Sequence, residues 1–218
     1  MMNDGIQNKQ LLDGYVGVKF EAVQRSKEPI LGTADLYALF RRNCDRLKAY
    51  HMTPANGGNL SIRHGNGFII SASGSNLGCF EEDELTFVEQ CEVEKECVLY
   101  HGQNKPSSES IMHWLIYKNR PEAHAIIHAH DEFATRPELL AGDVEESERE
   151  EPYGTIELAH MAIETFKQDR RIIVLKNHGY VAIGPDLDRT CDLVADTHLK
   201  LLGKQEDSAL ASIKIQNE

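Results

Sequence analysis

Six residues, AIIHAH (Ala125 to His130), constrain this chain more than any others. Three apolar residues lead into two imidazoles spaced by one, and the two-residue period of a strand puts His128 and His130 on the same face of a sheet. Burying two adjacent polar rings is unfavourable unless hydrogen bonds or a shared cation compensate. The chain must therefore build a sheet around this strand and bring partners to its end.

A second segment repeats the arrangement. RRIIVLKNHGYVAIG (Arg170 to Gly184) reads as two short buried strands around a turn at Asn177–Gly179, with His178 at the end of the first and a glycine that lets the backbone turn sharply. Zinc favours imidazole nitrogen, and its catalytic sites use three protein ligands with one position open. His128, His130 and His178 are thus a candidate metal set. The alternative is histidines hydrogen-bonded within half-buried strands.

Around these strands the pattern alternates between helix and strand. TADLYALFRRNCDRLKAYHM has apolar residues at helical spacing behind Thr33, and SESIMHWLIYKNR is helical up to Pro121. EEPYGTIELAHMAIETFKQ gives a helix capped near Thr155, and DLDRTCDLVADTHLKLLGKQ is an amphipathic helix near the end. Short strands flank HGNG, which reads as a hairpin turn, and further antiparallel strands follow Leu85. The acidic stretch ATRPELLAGDVEESEREE reads as a solvated loop or lid. With 218 residues, 41% of them hydrophobic, the chain suits one sizeable domain. The expected fold class is α/β: a three-layer α/β/α sandwich with a central, predominantly antiparallel sheet. The domain is expected over 31–218, with 1–30 as an N-terminal arm outside the core.

Charge narrows the partners. The net charge of −12, from 35 acidic and 23 basic residues, argues against nucleic acid, whose phosphates are bound by clustered Lys and Arg. No apolar run approaches the roughly 20 residues of a membrane span, and the first residues lack the order of a signal peptide. The five cysteines form no CxxC and read as free thiols. The expected location is the cytoplasm.

Two polar segments can be read in two ways. In KPSSESIMHW, Ser107 or Ser108 reads as a helix cap with Glu109 in the first turn; equally, hydroxyls and amides at a helix start make an anion pocket, and Glu109 beside a cation can move protons. ANGGNLSIR with SASGSN is either turn chemistry or a nest of amides around a phosphate. Neither carries GxGxxG or a Walker Lys-Ser/Thr pair.

In order along the chain come Gly58-Asn59-Leu60-Ser61, Ser73-Gly74, Pro106-Ser107-Ser108-Glu109, His128-x-His130 and Asn177-His178-Gly179. In that order the chain resembles the class II aldolase/adducin family from about Thr33 to about Leu202. The resemblance implies that His128, His130 and His178 bind a divalent metal, usually zinc. It implies that Glu109 is the acid–base carboxylate, also able to touch the metal, and that Asn56, Asn59, Ser73, Gly74, Ser107 and Ser108 hold a substrate phosphate. The implied reaction is cleavage of a phosphorylated ketose of the L-fuculose 1-phosphate type to dihydroxyacetone phosphate and an aldehyde through a metal-stabilised enediolate. The implied assembly is a homotetramer with sites at its interfaces.

The same family holds dehydratases, 4-epimerases and non-catalytic adducin-like modules. Glu109, where the epimerases resemble a version with Asp, and the absence of Lys before Ser73-Gly74 favour the aldolase or dehydratase branch. No tyrosine matches the one that fuculose-type aldolases use to protonate the leaving aldehyde. Tyr153, the nearest aromatic hydroxyl, reads as packing at a helix start.

Overall fold

The computed structural model describes residues 18–28, 33–140, 142, 144–167 and 169–216. Its centre is a nine-stranded sheet. The strands, in chain order, are β1 (Glu21–Ser26), β2 (Asn59–His64), β3 (Gly67–Ser71), β4 (Leu85–Glu92), β5 (Cys97–His101), β6 (Ala125–Ala129), β7 (Glu145–Glu146), β8 (Ile172–Leu175) and β9 (Gly179–Gly184). They lie side by side in the order β1-β5-β4-β3-β2-β6-β9-β8-β7. Only the two edge pairs, β1 with β5 and β7 with β8, run parallel. The sheet is therefore predominantly antiparallel, as expected.

Alternation along the strands divides the core into two layers. Leu60, Ile69, Ile127 and Ala182 face one side, where helix α1 (Thr33–Ala49) supplies Phe40 and Leu47 and helix α5 (Leu187–Gln216) supplies Leu187 and Val194. Phe68, Ile70, Ile126 and Val181 face the other, against α2 (Ser110–Asn119) and α4 (Ile156–Thr165). Phe40, Leu47 and Leu60 are completely buried, each contributing about 1.5–3 kcal/mol of transfer free energy. Helices cover both faces, giving the α/β/α sandwich. The periodicity that placed α4 also placed its cap: Thr155 Oγ1 accepts from Leu158 N at 3.2 Å.

Three readings need correction. The N-terminal thirty residues are not wholly outside the core, because β1 extends the sheet and Phe20 is buried; residues 1–17 and 29–32 lie outside the described residues. The acidic stretch is not wholly a solvated loop. It contains a short helix, α3 (Pro137–Leu140), and strand β7, and Leu139, Leu140 and Val144 are buried. Nor does Ser107 or Ser108 cap α2. Glu109 occupies that position, and its side chain makes no capping bond, so the carboxylate is free to point elsewhere.

Candidate metal centre and substrate cavity

The strand register explains how the site assembles. Asn59 at the start of β2 lies directly opposite His128 near the end of β6, so their side chains share a face. On that face His128 follows Ile126, beneath the start of α2, where Glu109 stands. Asn59 Nδ2 donates to Glu109 Oε2 at 2.8 Å, and His128 Nε2 is 3.3 Å from the same oxygen. The β8–β9 turn brings in His178, with Nε2 3.6 Å from Glu109 Oε1. Asn177 in that turn adopts φ 54°, a left-handed conformation asparagine tolerates, and its Nδ2 donates to Glu150 Oε2 at 2.8 Å. That bond ties the acidic segment to the site.

The three imidazoles converge. Their ring centroids are 4.7–5.0 Å apart, and their ligating nitrogens all lie within 4.8 Å of one another. His128 Nδ1 donates to the Tyr180 carbonyl at 2.8 Å, since a carbonyl can only accept. Nε2 is thereby left as a lone pair facing His130 Nε2, 3.0 Å away. Burial lowers His128 and His130 to about 3, so both rings are neutral, the form in which imidazole binds a metal. Glu109 is 3% exposed, and its Oε1 has no hydrogen-bond partner among the described residues. A buried carboxylate oxygen so placed beside three converging imidazoles fits a divalent cation.

A cavity of about 270 Å³ opens from this cluster. Its walls carry Asn56, Gly57, Gly58, Asn59, Gly74, Ser75, Ser107, Ser108 and Tyr153. Nine of the ten residues expected at the site are therefore together. Ser73 is the exception: it sits on the same turn, with its backbone N–H bonded to Lys105 O, but Ser75 lines the cavity in its place. Ser75 Oγ and Asn59 Oδ1 are buried without partners among the described residues, as is Glu109 Oε1. Sequence reading also missed that Tyr153 reaches this cavity and does not serve only as packing.

Close backbone approach explains the paired glycines. A Cβ at Gly57 would lie 2.7 Å from His130 Nδ1 and 2.9 Å from Pro54 O, and Gly58 needs φ +84°. Gly57→Ala is expected to displace His130 and weaken metal affinity tenfold or more, read by competitive titration with a chromogenic chelator. Overpacking of this kind costs about 1–3 kcal/mol.

The buried rings also set a pH dependence. His113, like His128 and His130, is pushed down by burial to about 3 from an ordinary 6.5. The unfolded chain then binds more protons than the folded one between these values, so stability rises with pH across the window. Metal-free protein is expected to lose thermal stability as pH falls below about 6.5, each ring contributing at most about 1.4 kcal/mol per unit. Melting curves of chelator-treated protein at pH 7.5 and 5.5 check this.

Comparison with known proteins agrees with this geometry. The family model described as "Class II Aldolase and Adducin N-terminal domain" matches residues 39–198. An L-fuculose phosphate aldolase of Methanocaldococcus jannaschii is 30% identical over 189 residues, covering 81% of this chain and 95% of that one. A 5-methylthioribulose-1-phosphate/5-deoxyribulose-1-phosphate aldolase of Rhodospirillum rubrum is 29% identical over 153 residues, 64% of this chain and 66% of that one. The crystal structure of an L-fuculose-1-phosphate aldolase from Thermus thermophilus shares the fold, with TM-score 0.63, 23% identity and coverage of 80% and 95%.

Proposed function

The chain belongs to the class II aldolase and adducin family, as an enzyme of the class II aldolase type, and we propose that it cleaves a phosphorylated ketose, with L-fuculose 1-phosphate the first candidate, into dihydroxyacetone phosphate and an aldehyde. The observation that carries this reading is the meeting of three imidazoles and a partly unpartnered buried carboxylate at one end of a cavity lined by hydroxyls and amides.

His128, His130 and His178 would hold zinc, with Glu109 within reach of the same ion. A divalent cation held there would supply Lewis acidity for the negative charge that carbon–carbon cleavage leaves. Asn56, Asn59, Ser107 and Ser108, with the turn of Ser73 and Gly74, are assigned to the phosphate. Backbone amides and small hydroxyls hold that group without a cationic side chain, which suits an acidic protein. Glu109 moves the proton at the carbon released from the broken bond, and Asn59 orients it through Oε2. We further propose a homotetramer and, from five free thiols, a reducing cytoplasmic setting. Among the described residues no helix is long and apolar enough to cross a membrane.

The test is to load the protein with zinc, supply L-fuculose 1-phosphate, and measure dihydroxyacetone phosphate with a coupled reductase while following product mass. Release of dihydroxyacetone phosphate supports the aldolase reading. Loss of water without cleavage, or an isomer of unchanged mass, would replace it with the dehydratase or epimerase alternative.

A further inference from the structure

A second cavity, of about 540 Å³, adjoins the metal centre. Pro54, His130 and His178 line both cavities, so the two adjoin at the metal cluster. On the far side stands a pair of groups that the reaction described above does not use. His198 on α5 and Asp131, immediately after the H-x-H pair, are hydrogen-bonded through Nδ1 and Oδ2 at 2.8 Å. Asp131 Oδ1 accepts from Phe133 N at 2.9 Å, so both carboxylate oxygens act as acceptors. The His198 ring is held between Tyr50 and Phe133, with centroids 5.4 and 5.1 Å away.

The geometry fixes the tautomer. A carboxylate only accepts, so Nδ1 carries the proton and donates it to Asp131. In the neutral ring Nε2 is then the lone-pair nitrogen. Among the described residues it has no hydrogen-bond partner and it is not one of the buried unpartnered atoms, and the His198 side chain lines the second cavity. An imidazole engaged through one nitrogen by a buried carboxylate, with its other nitrogen unpaired among the described residues and its ring lining a cavity beside a metal centre, has the parts of an acid–base group.

We propose that His198, oriented by Asp131, is the acid–base group for the aldehyde half of the substrate, and that the second cavity receives that half. The inference rests on the aldolase reading. During cleavage the hydroxyl on the carbon that becomes the aldehyde gives its proton to His198 Nε2. The electron pair of that O–H bond forms the new C=O bond, and the pair of the breaking C–C bond stays with the ketone-bearing fragment. Glu109 protonates that fragment to give dihydroxyacetone phosphate, and water restores both groups. In the condensation direction His198 returns its proton to the oxygen of the former aldehyde. Asp131, which accepts from Nδ1, is a positioning residue. Tyr50, Phe133 and Leu202 in the cavity wall suit a short aldehyde tail that is not charged.

The test separates the two halves of the reaction. Zinc-loaded wild type, His198→Gln and Asp131→Asn are compared for cleavage of L-fuculose 1-phosphate. The same proteins are compared for exchange of carbon-bound hydrogen in dihydroxyacetone phosphate with deuterium oxide, which involves no aldehyde. Cleavage by His198→Gln is expected to fall about 10²-fold or more, the usual share of one acid–base group, with exchange within about threefold of wild type. Asp131→Asn is expected to lie between, because its amide can also donate and so favour the other tautomer. Long-range nitrogen–proton NMR of the metal-free protein is expected to show His198 protonated at Nδ1. Wild-type cleavage by His198→Gln, joint loss of cleavage and exchange, or a His198 protonated at Nε2 alone would each overturn the proposal. A wild type that neither exchanges nor cleaves would defeat the aldolase reading itself, a separate result.

Discussion

Glu109→Gln is expected to abolish hydrogen exchange into dihydroxyacetone phosphate and to slow cleavage by about 10²–10⁴-fold, with close to one zinc per chain retained. The substitution is nearly isosteric. A glutamine can present its oxygen to Asn59 Nδ2, preserving the 2.8 Å hydrogen bond that sets the side chain's direction, but it cannot carry a proton between carbon and water. Three imidazoles remain to hold the ion. Stability should move the other way. In metal-free protein the glutamine replaces a carboxyl group that is 3% exposed and has one oxygen unpartnered, so the melting temperature is expected to rise by about 2–4 °C per kcal/mol recovered. Inactivity together with a higher metal-free melting temperature identifies the carboxylate as functional. A variant still active at a tenth of the wild-type rate would remove Glu109 from proton transfer.

The parts of this site that could be read from the sequence are those set by short-range periodicity. Two histidines spaced by one at the end of an apolar strand are set to share a face; β6 carries His128, and His130, one residue past its end, brings its ring to 4.9 Å from that of His128. The turn at Asn177–Gly179 follows from a glycine after a buried run, and it delivers His178 where the pattern put it. What escaped the sequence depends on contacts distant along the chain or on one-residue details of turns. Strand β1 carries no alternating apolar pattern, because as an edge strand it is only half covered. Its place in the sheet comes from parallel pairing with β5, some 75 residues later, and no local signal encodes that. The shift from Ser73 to Ser75 in the cavity wall follows from the left-handed Gly74 between them, φ +76°, which re-aims the serine after it. Glu109 looked like a first-turn residue because the serines before it are good caps. In the structure the cap position is kept for a group that points into the cavity, where local preference gives way to the site. The Asp131–His198 pair spans 67 residues, so no spacing rule could reveal it.

His128→Ala is expected to have the largest effect of any single change: loss of stoichiometric zinc and of all measurable cleavage, with the sheet intact. His128 is the innermost of the three rings, 1% exposed and held by a backbone carbonyl. Its Nε2 lies close to both His130 Nε2 and Glu109 Oε2, at 3.0 and 3.3 Å, so its removal opens the centre of the cluster and not its rim. Two imidazoles and a carboxylate remain, but they lose the ring whose Nε2 approaches both His130 Nε2 and Glu109 Oε2. The alanine leaves Ile126, Ile127 and the β6 pairings with β2 and β9 untouched, so far-ultraviolet circular dichroism should match wild type. Chelator treatment of the wild type should reproduce the loss of activity and be reversed by added zinc, whereas the variant should stay inactive at any zinc concentration that keeps it soluble. Activity surviving chelation, or a His128→Ala protein that still binds one zinc per chain, would mean that the three rings do not form one metal centre.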